Sequence, residues 1–576
     1  MPIGPVKFRP GIVRETTQYA NSGGWFDADK VRFRDGYAES IGGWQSLTTN
    51  TLTGVCRSMN EWTSLQGYGF VGFGTNSKFY VLSSEAYYVE GDFITFSGAT
   101  TGVGNYSVDD LNSEFQVQAI TDLTTLILKG KKNAGAANLV GGGPSVVANP
   151  DINSGPVDAS YAVGYGIGGY GIGPYGNARN PASDRLSPVI IQPRLWSQDN
   201  FGQDLVINPR GGGIYYWAAT KGVASRAVPL STLPGAADVP MLANEIFVSI
   251  VDENVVALGC SPLGEQDLDP MQVRWSDQEN PAMWTPARSN NAGGQRLASG
   301  SQIIGHLQTT QDTLVWTDKT LYAMTYGGQF TYGFNPIANE IGQLGPKTAV
   351  QFGSSVAWME HGAFYAYSGY IQELPCSVKD YVFGDFNYLQ AWKSYGILQR
   401  AFPEIWWFYC SAESTEIDSY VIWNYKDNNW SIGKLSRTAW LYSDRLQTPM
   451  AVDASGSLWQ HETGTDAGTD PLSSYIESAD IDDGSGENFL FLSRIIPDVQ
   501  FTGTSDYQRM QVEVLKRDSS MVPKILERTL DINPGKKYLD TRARSRRLSV
   551  RFKADTVGTG WRLGNTEVKI SAAGKR

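Results

Sequence analysis

Histidine is nearly missing from this chain. Only His306, His361 and His461 occur, spread over more than 150 residues, so a histidine-rich metal centre or a histidine dyad is not supported. Charge is scarce as well, at 18% of residues against roughly 25% in an average soluble domain. What charge there is leans acidic, with 47 Lys plus Arg against 58 Asp plus Glu and a net charge of -11. That balance argues against a protein that grips nucleic acid by neutralising phosphates. The four cysteines, Cys56, Cys260, Cys376 and Cys410, have no CxxC spacing, and each lies in or beside an apolar, strand-like stretch. They read as buried free thiols rather than disulfides. No run approaches ~18 apolar residues. The opening Met1 to Pro10 has no apolar stretch of the kind a secretory leader needs, so the expectation is synthesis in the cytoplasm.

Glycine and aromatic residues fill the space that charge leaves. The 576 residues include 63 Gly, 29 Tyr, 23 Phe and 17 Trp, and few stretches hold a helical apolar period for long. At about 150 residues per domain the length suggests about four domains, although repetitive all-β folds run longer as one unit. Tryptophans flanked by strand formers recur at Trp275, Trp316, Trp358, Trp406 and Trp459, at intervals of 41, 42, 48 and 53 residues. Propeller blades run about 40 to 50 residues, each a small antiparallel sheet that must stack on its neighbours to bury both faces. Between the tryptophans, Leu321 to Met324, Phe364 to Tyr367 and Val421 to Tyr425 are apolar runs beside turn residues and read as hairpin strands. The fold class is therefore all-β, a β-propeller core of about six blades. An irregular sandwich with tryptophans in its core is the competing architecture.

Two segments break the period. Residues 83–192 read as an inserted small β domain with strand-rich runs at Gly91 to Phe96, Glu114 to Ile120 and Thr124 to Leu128, followed by a low-complexity loop. Eleven Gly fall from Gly141 to Gly176, interleaved with Tyr161, Tyr165, Tyr170 and Tyr175. From residue 478 the strand runs become separate and the local charge changes sign, which marks 478–576 as a C-terminal β module or a closing blade. Residues 1–82 then supply an N-terminal segment and the first propeller strands, and 193–477 the propeller core.

The candidate chemistry is thin. The Gly/Tyr loop matches GxGxxG at Gly164, Gly166 and Gly169, but Gly173, Pro174 and Gly176 continue the loop where a nucleotide site requires a helix. Tyr165, Tyr170 and Tyr175 on a glycine-rich chain suit an adaptable protein-contact surface; a plain loop is the alternative. The acids Glu477, Asp480, Asp482, Asp483 and Glu487 could hold calcium, yet they fail the EF-hand spacing, and a solvated turn is the favoured reading. Between Thr541 and Lys553, Arg542, Arg544, Arg546, Arg547 and Arg551 stand with no acid among them, a candidate contact for an acidic protein surface or a phosphate, with an exposed strand face as the alternative. No Walker A, HExxH or GxSxG string occurs, and nothing singles out a carboxylate pair, a metal site or a cofactor site.

Several longer strings carry a resemblance. Phe8 to Val13, Gly23 to Asp27, Lys30 to Gly36 and Ile41 to Trp44 resemble the opening of a family of tailed-phage structural proteins. Val273 through Trp275, Ser276, Asp277, Asn280, Pro281, Trp284 and Pro286, and the closing Trp561 to Gly564, are similar to the same family. The family is the tail nozzle of short-tailed phages, of the tail-tubular-protein-B or packaged-DNA-stabilisation type. The resemblance implies a propeller subunit of a hexameric ring in the virion tail, below the portal and adaptor, through which DNA is held and ejected. It implies a tail adaptor protein and tail fibres as partners, contact with the host envelope, and no catalytic residue. A receptor-binding or glycan-degrading tail protein is the alternative function.

Overall fold

The first strands of seven small antiparallel sheets stand around one axis in a computed structural model of the chain. It describes residues 8–16, 21, 23–65, 67–83, 93–122, 125–128, 147–150, 155–161, 190–222, 225–328, 331–482, 488–503, 507–519 and 521–574. Blade 1 comprises Cys56–Thr63, Gly69–Thr75 and Phe79–Ser83. Blade 2 starts with Trp196–Phe201, blade 3 with Ala243–Val248, blade 4 with Ile303–Gln308, blade 5 with Val350–Phe352 and blade 6 with Tyr395–Gln399, and each of these has four strands. Blade 7 takes Ala439–Ser443, Thr448–Val452 and Ser457–His461 from late in the chain and its fourth strand, Trp44–Thr51, from the beginning, with the short Asp466–Ala467 and Asp470–Pro471 pair beyond it. The all-β propeller is as expected, but the sheets number seven among the described residues rather than about six. The tryptophan period runs from blade 3 to blade 7, where Trp459 stands on Ser457–His461, so the blades outside it are 1 and 2.

Apolar side chains shared between neighbours close the ring. Trp62 and Phe70 pack with Trp196 and Trp217 across blades 1 and 2. Val206 packs with Ile246 across 2 and 3, Val256 with Val315 across 3 and 4, and Trp316 with Trp358 across 4 and 5. Ala357 and Trp407 join blades 5 and 6, Trp406 and Trp44 join 6 and 7, and Val452 and Val71 bring 7 back to 1. Fully burying one tryptophan removes ~150–250 Å² from water, roughly 4–6 kcal/mol at ~25 cal/mol/Å². Trp316, Trp358 and Trp406 all stand on the second strand of their blades, which is why their spacing follows the repeat; Trp275 and Trp459 stand on third strands.

Closure needs three glycines at blade 7. A Cβ at Gly42 would lie 2.5 Å from Glu462 Oε2, and one at Gly43 would lie 2.4 Å from the Asp466 carbonyl oxygen. Gly456, at φ +83°, would put a Cβ 2.2 Å from the Leu52 carbonyl oxygen. Only a residue without a side chain lets the early strand approach the late hairpin this closely.

The remaining strands form a second body. Its six-stranded sheet runs in the order Arg9–Ile12, Gly24–Asp29, Ser474–Ser478, Arg547–Ala554, Met510–Arg517, Ile525–Ile532. A three-stranded sheet of Leu539–Ser545, Leu490–Ile496 and Glu567–Ala572 shares its core through Leu492, Ala543, Val512 and Phe552. A third sheet pairs Tyr37–Ser40 with Trp561–Leu563. The C-terminal residues thus join the first forty residues in this body instead of closing the ring. It docks on blade 6, where Asn424 Nδ2 donates to the Phe33 carbonyl at 3.0 Å and Ser431 Oγ to that of Val31 at 2.6 Å. The insertion contributes a four-stranded sheet, ordered Thr125–Leu128, Glu114–Asp122, Phe93–Ser97, Val147–Pro150, and a two-stranded ribbon of Ser160–Tyr161 with Ile190–Ile191.

Candidate functional site: the ring axis and the basic strand

The first strand of each blade faces the axis, so polar residues on these strands and on the loops that cap them meet there. At one end Arg57, 2% exposed, donates through both terminal nitrogens to Glu416 at 2.6 Å. Lys393, with no exposed side-chain surface, reaches Asp158 of the insertion at 2.5 Å. Lys347 donates to the Arg57 carbonyl at 3.1 Å, and burial pushes its ammonium down to about 8. Gln390 clamps the backbone of Ala159 with a hydrogen bond in each direction, its Oε1 accepting from the N–H at 2.9 Å and its Nε2 donating to the carbonyl at 2.8 Å. The segment from Gly155 to Ala159 is thus bedded across this end of the axis. Glu245 lies 2.9 Å from His306 Nδ1 and 3.8 Å from Arg210, whose guanidinium burial lowers to about 10.

Carboxylates near the axis are engaged with the protein's own donors. Glu61 accepts from the Ser443 hydroxyl and the Asp444 N–H, both at 2.9 Å. Asp199 accepts from the Val248 N–H at 2.8 Å and the Asn200 N–H at 2.9 Å, and burial raises its carboxyl above the ordinary value. A recess of about 230 Å³ opens beside Asp199 at the other end of the axis. Among the described residues no group of three or more His, Cys, Asp or Glu is arranged to hold a metal ion, and no helix is long and apolar enough to cross a membrane. All four cysteines are free, and burial pushes the Cys56, Cys260 and Cys410 thiols up to about 12, far from a reactive thiolate.

The basic strand separates into two groups. Along Leu539–Ser545, Leu539, Thr541, Ala543 and Ser545 point inward while Arg542 and Arg544 are exposed, the alternation a one-sided sheet imposes. Arg544 lies over the Phe489 ring at 4.7 Å and donates to the Ala573 carbonyl at 3.0 Å; Arg546 lies over the same ring at 5.2 Å. Arg547 is partly buried. Arg551 works inside the sheet: it bridges Glu477 at 2.6 Å and Glu513 at 2.9 Å, and the pull of these carboxylates outweighs the burial that would lower its guanidinium. Of the arginine run, Arg542 and Arg544 stand on the exposed face of this strand, Arg544 beside Phe489. Tyr165, Tyr170 and Tyr175, together with Asp483 and Glu487, lie outside the described residues. Glu477 and Asp480 form neither a calcium loop nor a solvated turn; both are buried, paired with Lys524, and Asp480 also binds Arg517.

Sequence reasoning missed one buried ionic joint. Arg32, 1% exposed, lies 3.4 Å from Glu404, is hydrogen-bonded to Glu462 and stacks on Phe402 at 3.7 Å. It brings the second body, blade 6 and the strand end of blade 7 to one point. Only the ordinary Lys30 to Gly36 string marked it, and residues 430 positions apart cannot be paired from one sequence.

No protein-family model matches the sequence. No curated protein matches it either. Among solved structures, Kluyveromyces lactis Hsv2 aligns at 8% identity over 50% of this chain and 74% of its own, with a TM-score of 0.28. The exo-β-1,3-galactanase of Phanerochaete chrysosporium, solved with β-1,3-galactotriose, aligns at 10% identity over 66% and 96%, with a TM-score of 0.24. The extracellular domain of a hybrid two component system from B. thetaiotaomicron aligns at 8% identity over 94% and 80%, with a TM-score of 0.30. The propeller assignment rests on the sheet order and the shared blade cores described above, and no chemistry is carried over from these proteins.

Proposed function

We propose that this chain is a structural virion protein of a short-tailed phage, a subunit of the distal tail tube that retains packaged DNA and conducts it during ejection, without enzymatic activity. The observation that carries the reading is where the family-like strings fall. Ile41 to Trp44 sits at the ring closure, and Arg562 of the closing Trp561 to Gly564 string donates to the Arg34 carbonyl at 3.1 Å and pairs with Asp35 at 3.5 Å, both within the Lys30 to Gly36 string. Strings more than five hundred residues apart are thus parts of one joint, which supports reading them as a single inherited architecture. On this reading the partners are further copies in a hexameric ring, a tail adaptor and tail fibres, with Arg542 and Arg544 facing a protein neighbour. A conduit must let DNA slide, and each phosphate neutralised would add affinity, so the excess acid suits the bore.

Electron microscopy of the purified protein tests the proposal. Rings with a central channel are expected, and particles lacking the protein should leak DNA. Monomers that release saccharide from host envelope polysaccharide, with the release abolished by mutating one acid, would overturn it in favour of a glycan-degrading protein.

A further inference from the structure

The end of the axis opposite the Arg57 and Glu416 cluster has no segment bedded across it among the described residues. Strands alternate in direction within each blade, so the turns joining first to second strands and third to fourth strands share one face of the ring. That face includes residues 64–65, 67–68, 249–254 and 328. It exposes several apolar side chains: Leu65 is 84% exposed, Ile250 74% and Val251 70%, with Tyr68 and Tyr326 about half exposed. Exposed aliphatic residues gathered on one face mark a surface that meets something else.

The loops are braced against each other. Trp62 Nε1 donates to the Gln203 carbonyl at 3.1 Å, tying the blade 1 loop to the blade 2 turn. The Ile250 N–H donates to Gln308 at 3.2 Å, and Tyr332 donates to Asn254 at 3.0 Å, tying the blade 3 loop to blade 4. Between them lies the recess of about 230 Å³, lined by Asp199, Asn200, Ser249, Ile250, Glu253 and Gln308. Its two carboxylates have no lysine or arginine against them among the described residues, and Asp199 meets only N–H donors. A partly buried carboxylate facing an open recess is best complemented by a cation that brings its own apolar stem.

We propose that this face docks a protein segment that inserts one arginine or lysine into the recess and lays flanking apolar side chains on Leu65, Ile250 and Val251. The aliphatic rim favours a peptide over a sugar, whose faces stack on aromatic rings. This inference does not depend on the tail reading.

The test is titration of the full chain with a short blocked peptide carrying a central arginine between leucines, and with the same peptide carrying glutamine or glutamate instead. The arginine peptide should bind with a Kd on the order of 0.1–1 mM, at least about tenfold tighter than the glutamine peptide (~1.4 kcal/mol). Asp199→Asn should remove that preference. Ile250→Ser with Val251→Ser, on an exposed loop, should weaken both peptides by a similar factor while the melting temperature stays unchanged. Equal binding of the arginine and glutamine peptides, a preference that survives Asp199→Asn in a folded variant, no binding at millimolar peptide, or displacement of the peptide by an oligosaccharide such as maltoheptaose would each overturn the proposal.

Discussion

The ring and the second body solve the same problem with different means. Each blade presents two apolar faces and buries them on its neighbours, so the ring is held by packed tryptophans such as Trp316 and Trp358, which meet edge to face with centroids 5.5 Å apart. The second body has fewer aromatics in its sheets and more ion pairs, with Glu477 shared by Arg551 and Lys524 and Asp480 held by Arg517. Apolar stacking is additive from blade to blade and tolerant of detail. Buried ion pairs are not: each pair must overcome desolvation, and losing one partner strands the other. The two bodies should therefore fail in different ways.

Removing residues 1–51 attacks both at once and has the largest expected effect. It deletes the fourth strand of blade 7 and the Arg9–Ile12, Gly24–Asp29, Val31–Arg34 and Tyr37–Ser40 strands, so the product should be insoluble or lack a cooperative melt by circular dichroism. A soluble chain with an unchanged melt would mean that the ring closes without them. At the ionic joint between the bodies, Arg32→Ala should cost ~3–5 kcal/mol in denaturant unfolding, because Glu404 and Glu462 would remain buried and uncompensated. Arg32→Met, which keeps the apolar packing but leaves the same two acids, should be nearly as damaging; rescue by methionine would assign the effect to packing alone.

pH separates the bodies further. His461 is buried in blade 7, stacked near Trp440 and accepting from Arg437 Nε at 2.8 Å, and burial with that neighbouring guanidinium holds its proton affinity well below the ordinary 6.5. The unfolded chain then binds a proton that the folded chain refuses, so stability falls as pH drops below about 6.5. His461→Gln should flatten this acid slope by up to ~1.4 kcal/mol per pH unit in denaturant melts at successive pH values. An unaltered slope would show that other groups set it. The smallest stability effect belongs to the exposed basic face: Arg542→Ser with Arg544→Ser should change unfolding by less than ~0.5 kcal/mol per site. The pair should nevertheless reduce assembly into rings, measured by sedimentation; full assembly would remove these arginines from the interface.

What could be read in advance follows the same division. The hairpins at Leu321 to Met324 and Phe364 to Tyr367 were legible because a strand and its turn are neighbours in sequence. The pairing of Trp44–Thr51 with Ser457–His461 was not, since two strands four hundred residues apart carry no mutual signal. For the same reason the Arg32 joint was invisible, and Arg551 looked available while its carboxylates lay 38 and 74 residues away. The axis recess was equally hidden, because its lining comes from three blades.

The divided seventh blade also sets a schedule. Trp44–Thr51 leaves the ribosome long before its partner Ser457–His461 exists, and at ~5–20 residues per second that wait lasts on the order of 20–80 s. Blades 1 to 6 can form in turn during synthesis, but the strand that seals them must stay unpaired and soluble until nearly the whole chain is made. A translation product that stops short of residue 457 would keep an open edge at Trp44, and its fate would be set by self-association rather than by folding.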